Sequence, residues 1–141
     1  MLNNEKIIRE LCAAAEGQGT DIEKFVSMFS EEGYMWDMAS GMKFRGKAIG
    51  ESIASLVRAF PDVHRELFDI HVAGDVVVVE LAIRGTHKGD LALASGTLAP
   101  TGKTINVPSC DVFRLENGKV VSFHCYNEAC VMQQQLGFVP G

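Results

Sequence analysis

Runs of positive charge are missing from this sequence. No stretch of Lys or Arg exceeds an isolated residue or two, and 13 basic side chains stand against 18 acidic ones, for a net charge of −5. A surface that tracks phosphates needs clustered cations, so nucleic acid is excluded as the main partner. Long apolar runs are missing too. Nothing approaches the roughly 18 consecutive apolar residues of a membrane span. Met1-Leu2-Asn3-Asn4-Glu5-Lys6 leads into a charged helical pattern without the apolar stretch of a secretory leader. Cysteine is sparse: Cys12, Cys110, Cys125 and Cys130 form no Cys-x-x-Cys, and they are expected to be reduced thiols of a cytoplasmic protein. The histidines, His64, His71, His87 and His124, show no metal-ligand spacing, and no glycine-rich stretch has the strand-to-helix setting of a phosphate loop. No metal and no cofactor is therefore expected.

What is present is globular: 141 residues, 47% hydrophobic and 22% charged. That length suits one domain, 1–141, of the usual size of roughly 100–150 residues. Ile7, Ile8, Leu11, Cys12, Ala14 and Ala15 recur at helical spacing and predict a first helix ending near Gly17 and Gly19. Thr20 and Glu23 have the form of a capping box for a second helix, with Ile22, Phe25, Val26 and Phe29 on its buried face. Tyr34 to Asp37 reads as a short strand. A third helix is expected from Lys47 to Ala59, ended by Phe60-Pro61-Asp62. Beyond it the period falls from 3.6 to 2. Strands are predicted over His64–Ala73, Val76–Thr86, Lys103–Leu115 and Val120–Asn127, with Asn117-Gly118 as a tight hairpin turn and a last short helix over Glu128–Leu136. Three helices followed by an antiparallel meander give an α+β fold, with the helices on one face of a curled sheet. Small residues in the first helix, Ala13, Ala14 and Ala15, leave room for an interior pocket.

Two carboxylates are candidates for that pocket. Alternation puts Val107, Ser109, Asp111, Phe113 and Leu115 on one strand face and Pro108, Cys110, Val112 and Arg114 on the other. Arg114 belongs in solvent, so Asp111 is expected against an apolar wall, where desolvation raises its pKa and suits it to donate to a developing oxyanion. Asp37, which follows the first strand among Met35, Trp36 and Met38, is the second acid and the expected base. His87, at a strand end, is expected at the pocket rim. Trp36, Met38, Phe60, Phe113, Phe123 and Cys125 are expected to line the pocket. His124 has the opposite parity to Phe123 and Cys125, and is expected with His71 and Tyr126 on a sheet face covered by a second copy of the chain.

Tyr34-Met35-Trp36-Asp37, Phe60-Pro61-Asp62, Gly85-Thr86-His87-Lys88-Gly89, Pro100-Thr101-Gly102-Lys103, Asp111-Val112-Phe113-Arg114-Leu115, Asn117-Gly118-Lys119-Val120 and Gln135-Leu136-Gly137 together resemble the SnoaL-like polyketide cyclase family. The resemblance covers nearly the whole chain. It implies the cone-shaped α+β barrel of nuclear transport factor two, a curved antiparallel sheet wrapped around N-terminal helices, and a homodimer. Ketosteroid isomerase is related, and its base and protonated acid, a worked case of pKa tuning, would fall on Asp37 and Asp111. Its helix-one tyrosine would fall near Ala13, where this chain offers Cys12 and alanines. The expected function is a cofactor-independent cyclase or isomerase acting on a hydrophobic, carbonyl-bearing polyketide or terpenoid intermediate. A non-catalytic binding or assembly module of the same fold and a steroid delta-isomerase-like enzyme are the alternatives, since fold alone does not assign chemistry.

Overall fold

Asn3 opens the first helix by accepting the Lys6 N–H, so α1 (Asn4–Ala14) starts with a satisfied donor and buries Ile8, Leu11, Cys12 and Ala14. The computed structural model describes residues 3–93 and 96–137. The cap of α2 (Ile22–Ser27) is Asp21, whose side chain accepts from Lys24 N–H. The expected capping box at Thr20 is not formed, because the Thr20 hydroxyl donates back to the carbonyls of Glu16 and Gly17. The third helix, α3, spans Lys47–Ala59 as its periodicity predicts, and buries Ile49, Ile53 and Ala59. Its Gly50 gives close access to α2: a Cβ there would stand 2.8 Å from the Ile22 side chain and 3.0 Å from that of Val26.

The strands are β1 (Phe29–Asp37), β2 (Lys43–Arg45), β3 (His64–Ala73), β4 (Val76–Thr86), β5 (Leu91–Leu93), β6 (Gly96–Leu98), β7 (Thr104–Glu116) and β8 (Lys119–Asn127). Six of them form one curved, unclosed sheet in the order β2-β1-β8-β7-β4-β3, while β5 and β6 pair separately. A last helix, α4 (Ala129–Gln135), follows β8. Asn117 and Gly118 both take positive φ, 50° and 76°, which is the backbone a tight β7–β8 hairpin requires.

Two expectations need correction. The sheet is not a pure antiparallel meander, since β1 pairs parallel to β8. The first strand also begins at Phe29 rather than Tyr34. Ser30, Glu31 and Glu32 look like a loop in the sequence, but the β1–β8 pairing is irregular between Phe29 and Tyr34 and accommodates them.

The core lies between the concave face of the sheet and α1, α2 and α3. Burial along β7 alternates without a break, with Ile105, Val107, Ser109, Asp111, Phe113 and Leu115 all buried. Phe113 has no exposed surface, and its ring centre lies 4.4 Å from that of Phe123. A smaller cluster around Ala59, Phe60, Val63 and Leu136 closes the other end. No helix among the described residues is long and apolar enough to cross a membrane.

Candidate active site

Residues paired directly across strands point to the same side of a sheet, so register alone builds the site in rows. One row of the concave face runs Val79, Asp111, Cys125, Asp37 across β4, β7, β8 and β1. The row on one side is Phe113, Phe123 and Met35, and the row on the other is Leu81, Ser109 and Asn127. A cavity of about 400 Å³ opens over these rows. Its walls include Met35, Ile53, Leu56, Ile83, Val107 and Phe123, so they are mainly aliphatic. The polar groups on the wall include Asp37, Arg65, Cys125 and Asn127. Such a volume, apolar with a few convergent polar groups, is typical of a small-molecule site.

The two acids differ in their surroundings. Asp37 lines the cavity and its oxygens are fully engaged: Oδ1 accepts from Ala39 N–H at 3.2 Å and from Asn127 Nδ2 at 3.2 Å, and Oδ2 accepts from the Ser40 hydroxyl at 2.9 Å. Asp111 is 3% exposed and its Oδ1 is buried without a partner. Burial pushes its pKa up to about 6, although the positive charge of Arg65 and a hydrogen bond from the Cys125 thiol pull the other way. The two carboxyls are not in contact. Cys125 stands between them in the row, its thiol pushed upward by burial and by Asp111, and it accepts from Asn127 Nδ2 at 3.6 Å. Asn127 thus joins Asp37 to Cys125, the neighbour of Asp111.

Of the expected lining residues, Phe123 and Cys125 line the cavity with Asp37. Trp36 and Met38 do not. Strand parity turns Trp36 to the convex face, where its ring meets His124 edge-on at 5.4 Å and carries Lys43 Nζ 4.3 Å above it. Phe113 lies in the core behind Phe123, and Phe60 belongs to the smaller cluster. His87 is not at the rim. It has no exposed surface, stacks 5.5 Å from Phe60, and uses Nδ1 to accept from Thr101 N–H at 3.2 Å. Tyr34 Oη lies 2.9 Å from His124 Nε2, which keeps that histidine on the convex face, as its parity predicts.

Two polar side chains of the cavity wall escaped the sequence reading, Arg65 and Asn127. The signal for both was alternation: Arg65 shares the parity of Leu67, and Asn127 that of Phe123 and Cys125. The presumption that charged and amide side chains stay in water hid them.

A curved sheet packed over helices around an apolar cavity, with one buried acid and a second on the cavity wall, has the ketosteroid isomerase-like α+β fold. Over residues 7–135 the chain matches the model of the SnoaL-like polyketide cyclase family, and it belongs to that family. No curated protein matches it. Its fold is shared by a hypothetical protein with a ketosteroid isomerase-like fold from Catenulispora acidiphila, solved with trimethylamine (22% identity, 94% of this chain and 93% of that one, TM-score 0.79). A SnoaL-like polyketide cyclase from Jannaschia is similar as well (20% identity, 97% and 93%, TM-score 0.79). So is the wild-type polyketide cyclase IdmH from Streptomyces antibioticus (19% identity, 96% and 99%, TM-score 0.80). Identities this low establish a shared architecture, and the family itself supports a cyclase or isomerase role in general.

Proposed function

We propose that the protein is a cofactor-independent cyclase or isomerase that moves a proton on a hydrophobic, carbonyl-bearing small molecule of the polyketide or terpenoid kind. The observation that carries this reading is Asp111: a buried carboxyl with an unpartnered oxygen, titrating near neutrality, in the same row as an apolar cavity's polar wall. Cys125, its paired neighbour, lines that cavity, so the carboxyl lies about one strand spacing, roughly 5 Å, from the lining.

The hydrogen bonding supports a division of labour opposite to that expected from the sequence. Asp37 already serves three donors, whereas Asp111 Oδ1 is uncommitted. Asp111 is therefore the base: it takes a proton from the carbon next to a carbonyl, the electron pair forms the enolate, and the neutral acid later returns the proton. In a cyclase the enolate carbon closes a ring on a second carbonyl and the new alkoxide takes the proton. In an isomerase a different carbon takes it. A base that titrates near the working pH suits both halves of this cycle. Asp37 is a positioning residue that anchors Asn127 and, through it, Cys125.

Because the ionised carboxylate is the active form, kcat/KM of the wild-type protein is expected to rise with pH along a limb with a midpoint near 6. A fall across that range would overturn the assignment of Asp111 as base. Asp37→Asn should lower kcat by roughly tenfold while leaving the limb in place, in keeping with a role in orientation rather than proton transfer. Turnover of an identified substrate unchanged by both Asp37→Asn and Asp111→Asn would overturn the acid–base mechanism.

We further propose that a second copy of the chain covers the convex sheet face. Tyr126 is 48% exposed on that side, two positions along β8 from the half-buried His124, and Phe68 is 59% exposed on β3 at the far edge of the sheet. Sedimentation at micromolar concentration should give a dimer, and a monomer would remove the proposal.

A further inference from the structure

Among the described residues on the cavity wall, Arg65 is the sole cation. It sits on β3, paired with Ile83, and turns inward with it. A guanidinium carries five N–H donors, and the one hydrogen bond it makes is from Nη1 to the Ala15 carbonyl at 2.8 Å. Ala15 closes the C-terminal end of α1, where the exposed carbonyls favour a positive charge, so this contact holds the group in place. No carboxylate among the described residues pairs with it. Glu16, the acid next to it, is turned to other work: its oxygens accept the backbone N–H of Arg65 at 3.3 and 3.2 Å, and Oε1 lies 3.1 Å from His64 Nδ1. Asp111 feels the charge of Arg65, yet the two form no ion pair. A partly buried cation on the wall of an apolar cavity, with donors beyond the one that Ala15 takes, is set to receive a ligand's oxygen.

We infer that Arg65 is a second catalytic residue, the donor that binds the enolate oxygen formed when Asp111 removes the substrate's proton, and that the substrate is accordingly an enolisable carbonyl compound whose oxygen points at β3. This inference rests on the acid–base reading of the site. The charges balance without help from outside. As the C–H bond breaks, the proton goes to Asp111 Oδ1, which becomes neutral. The negative charge passes to the carbonyl oxygen, so the cavity's net charge is the same before and after. Arg65 faces one negative group throughout, and only its location changes. That makes the cation's contribution specific to the state in which charge has reached the oxygen, which is the condition for accelerating a step rather than tightening ground-state binding.

The test uses 2-naphthol, whose ionised form mimics an enolate oxygen on an apolar body and differs from the neutral form in its absorption. Bound to the full-length Asp111→Asn protein, in which residue 111 is neutral as it is after proton transfer, 2-naphthol should ionise at least one pH unit lower than in buffer. Adding Arg65→Gln should abolish that shift, and Arg65→Lys should restore part of it. In turnover, Arg65→Gln alone should lower kcat by about 10²–10³-fold with little change in KM. Ionisation of bound 2-naphthol at the same pH as in buffer, or a shift that survives Arg65→Gln, overturns the inference. Loss of the Ala15 contact makes Arg65→Gln a folding risk, but the absence of a shift in the Asp111→Asn protein, measured with Arg65 intact, overturns the inference without that variant, and Arg65→Lys, which keeps the charge, reports on Arg65 when a shift is present. The two readings fail separately: turnover unaffected by Asp111→Asn sinks the acid–base site, whereas a missing naphtholate preference sinks Arg65 only.

Discussion

Asp111→Asn is expected to lower turnover by about 10²–10⁴-fold, the range a positioned proton-transfer group supplies, and to remove the limb near pH 6 from the kcat/KM profile. The same substitution is expected to make the fold more stable at neutral pH. The carboxyl's pKa is raised from 3.8 to about 6 on folding, so the folded chain holds this proton more tightly than the unfolded chain does. Stability that depends on the group is therefore fully present below about pH 4 and is lost as pH rises through about 6. Above that range the buried charge costs on the order of 3 kcal/mol. Asparagine carries no charge, so the variant should gain up to about that amount at pH 7, and nothing at pH 4 where the wild-type acid is already neutral. Denaturant midpoints at the two pH values, measured alongside turnover, check both halves. A variant that loses activity and is also destabilised at pH 7 would show that Asp111 is a structural acid with a partner. The opposite signs of the two effects are the mark of a group held in an unfavourable place for the sake of its chemistry.

Phe113→Ala should cost about 3–5 kcal/mol of stability, the usual range for emptying a buried aromatic site. The ring has no exposed surface and packs 4.4 Å, centre to centre, from Phe123. Against a total of about 5–15 kcal/mol for an ordinary domain, such a loss brings the fold near its threshold. Phe123 is itself part of the cavity wall, so the floor of the site loses its support at the same time. Urea unfolding is the measurement. A loss below about 1 kcal/mol would mean that the ring is not the keystone between the sheet's central strands that its burial indicates.

How far the sequence carried differs from residue to residue. Asp111 was legible because its strand alternates strictly over Ile105 to Leu115, and a period of two with an arginine on one face leaves the other face a single direction. The Asn117-Gly118 turn was legible for a local reason as well, since few residue pairs accept two successive positive φ values. The same logic of alternation applied to Trp36, yet its position beside Asp37 drew it to the wrong face: neighbours along a strand point to opposite sides. His87 looked like a rim residue because it follows a strand. Its burial is the work of Phe60 and Thr101, 27 and 14 positions away, which no local pattern reports.

The sequence by itself determined the helices and the long strands β3, β4, β7 and β8, the α+β class, the inward face of β7 and the family, because each of these rests on local periodicity or on ordered motifs along the chain, whereas the short strands β2, β5 and β6 are too brief to show a period. Tertiary structure alone decided that β1 lies parallel to β8, that Asp37 and Asp111 share a row with Cys125 between them, and that Arg65 reaches the cavity from β3. The physical reason is that hydrophobic burial selects which face of a strand turns inward, whereas strand partners, and therefore which inward residues meet, are chosen by long-range hydrogen-bond registers that leave no periodic trace in the chain.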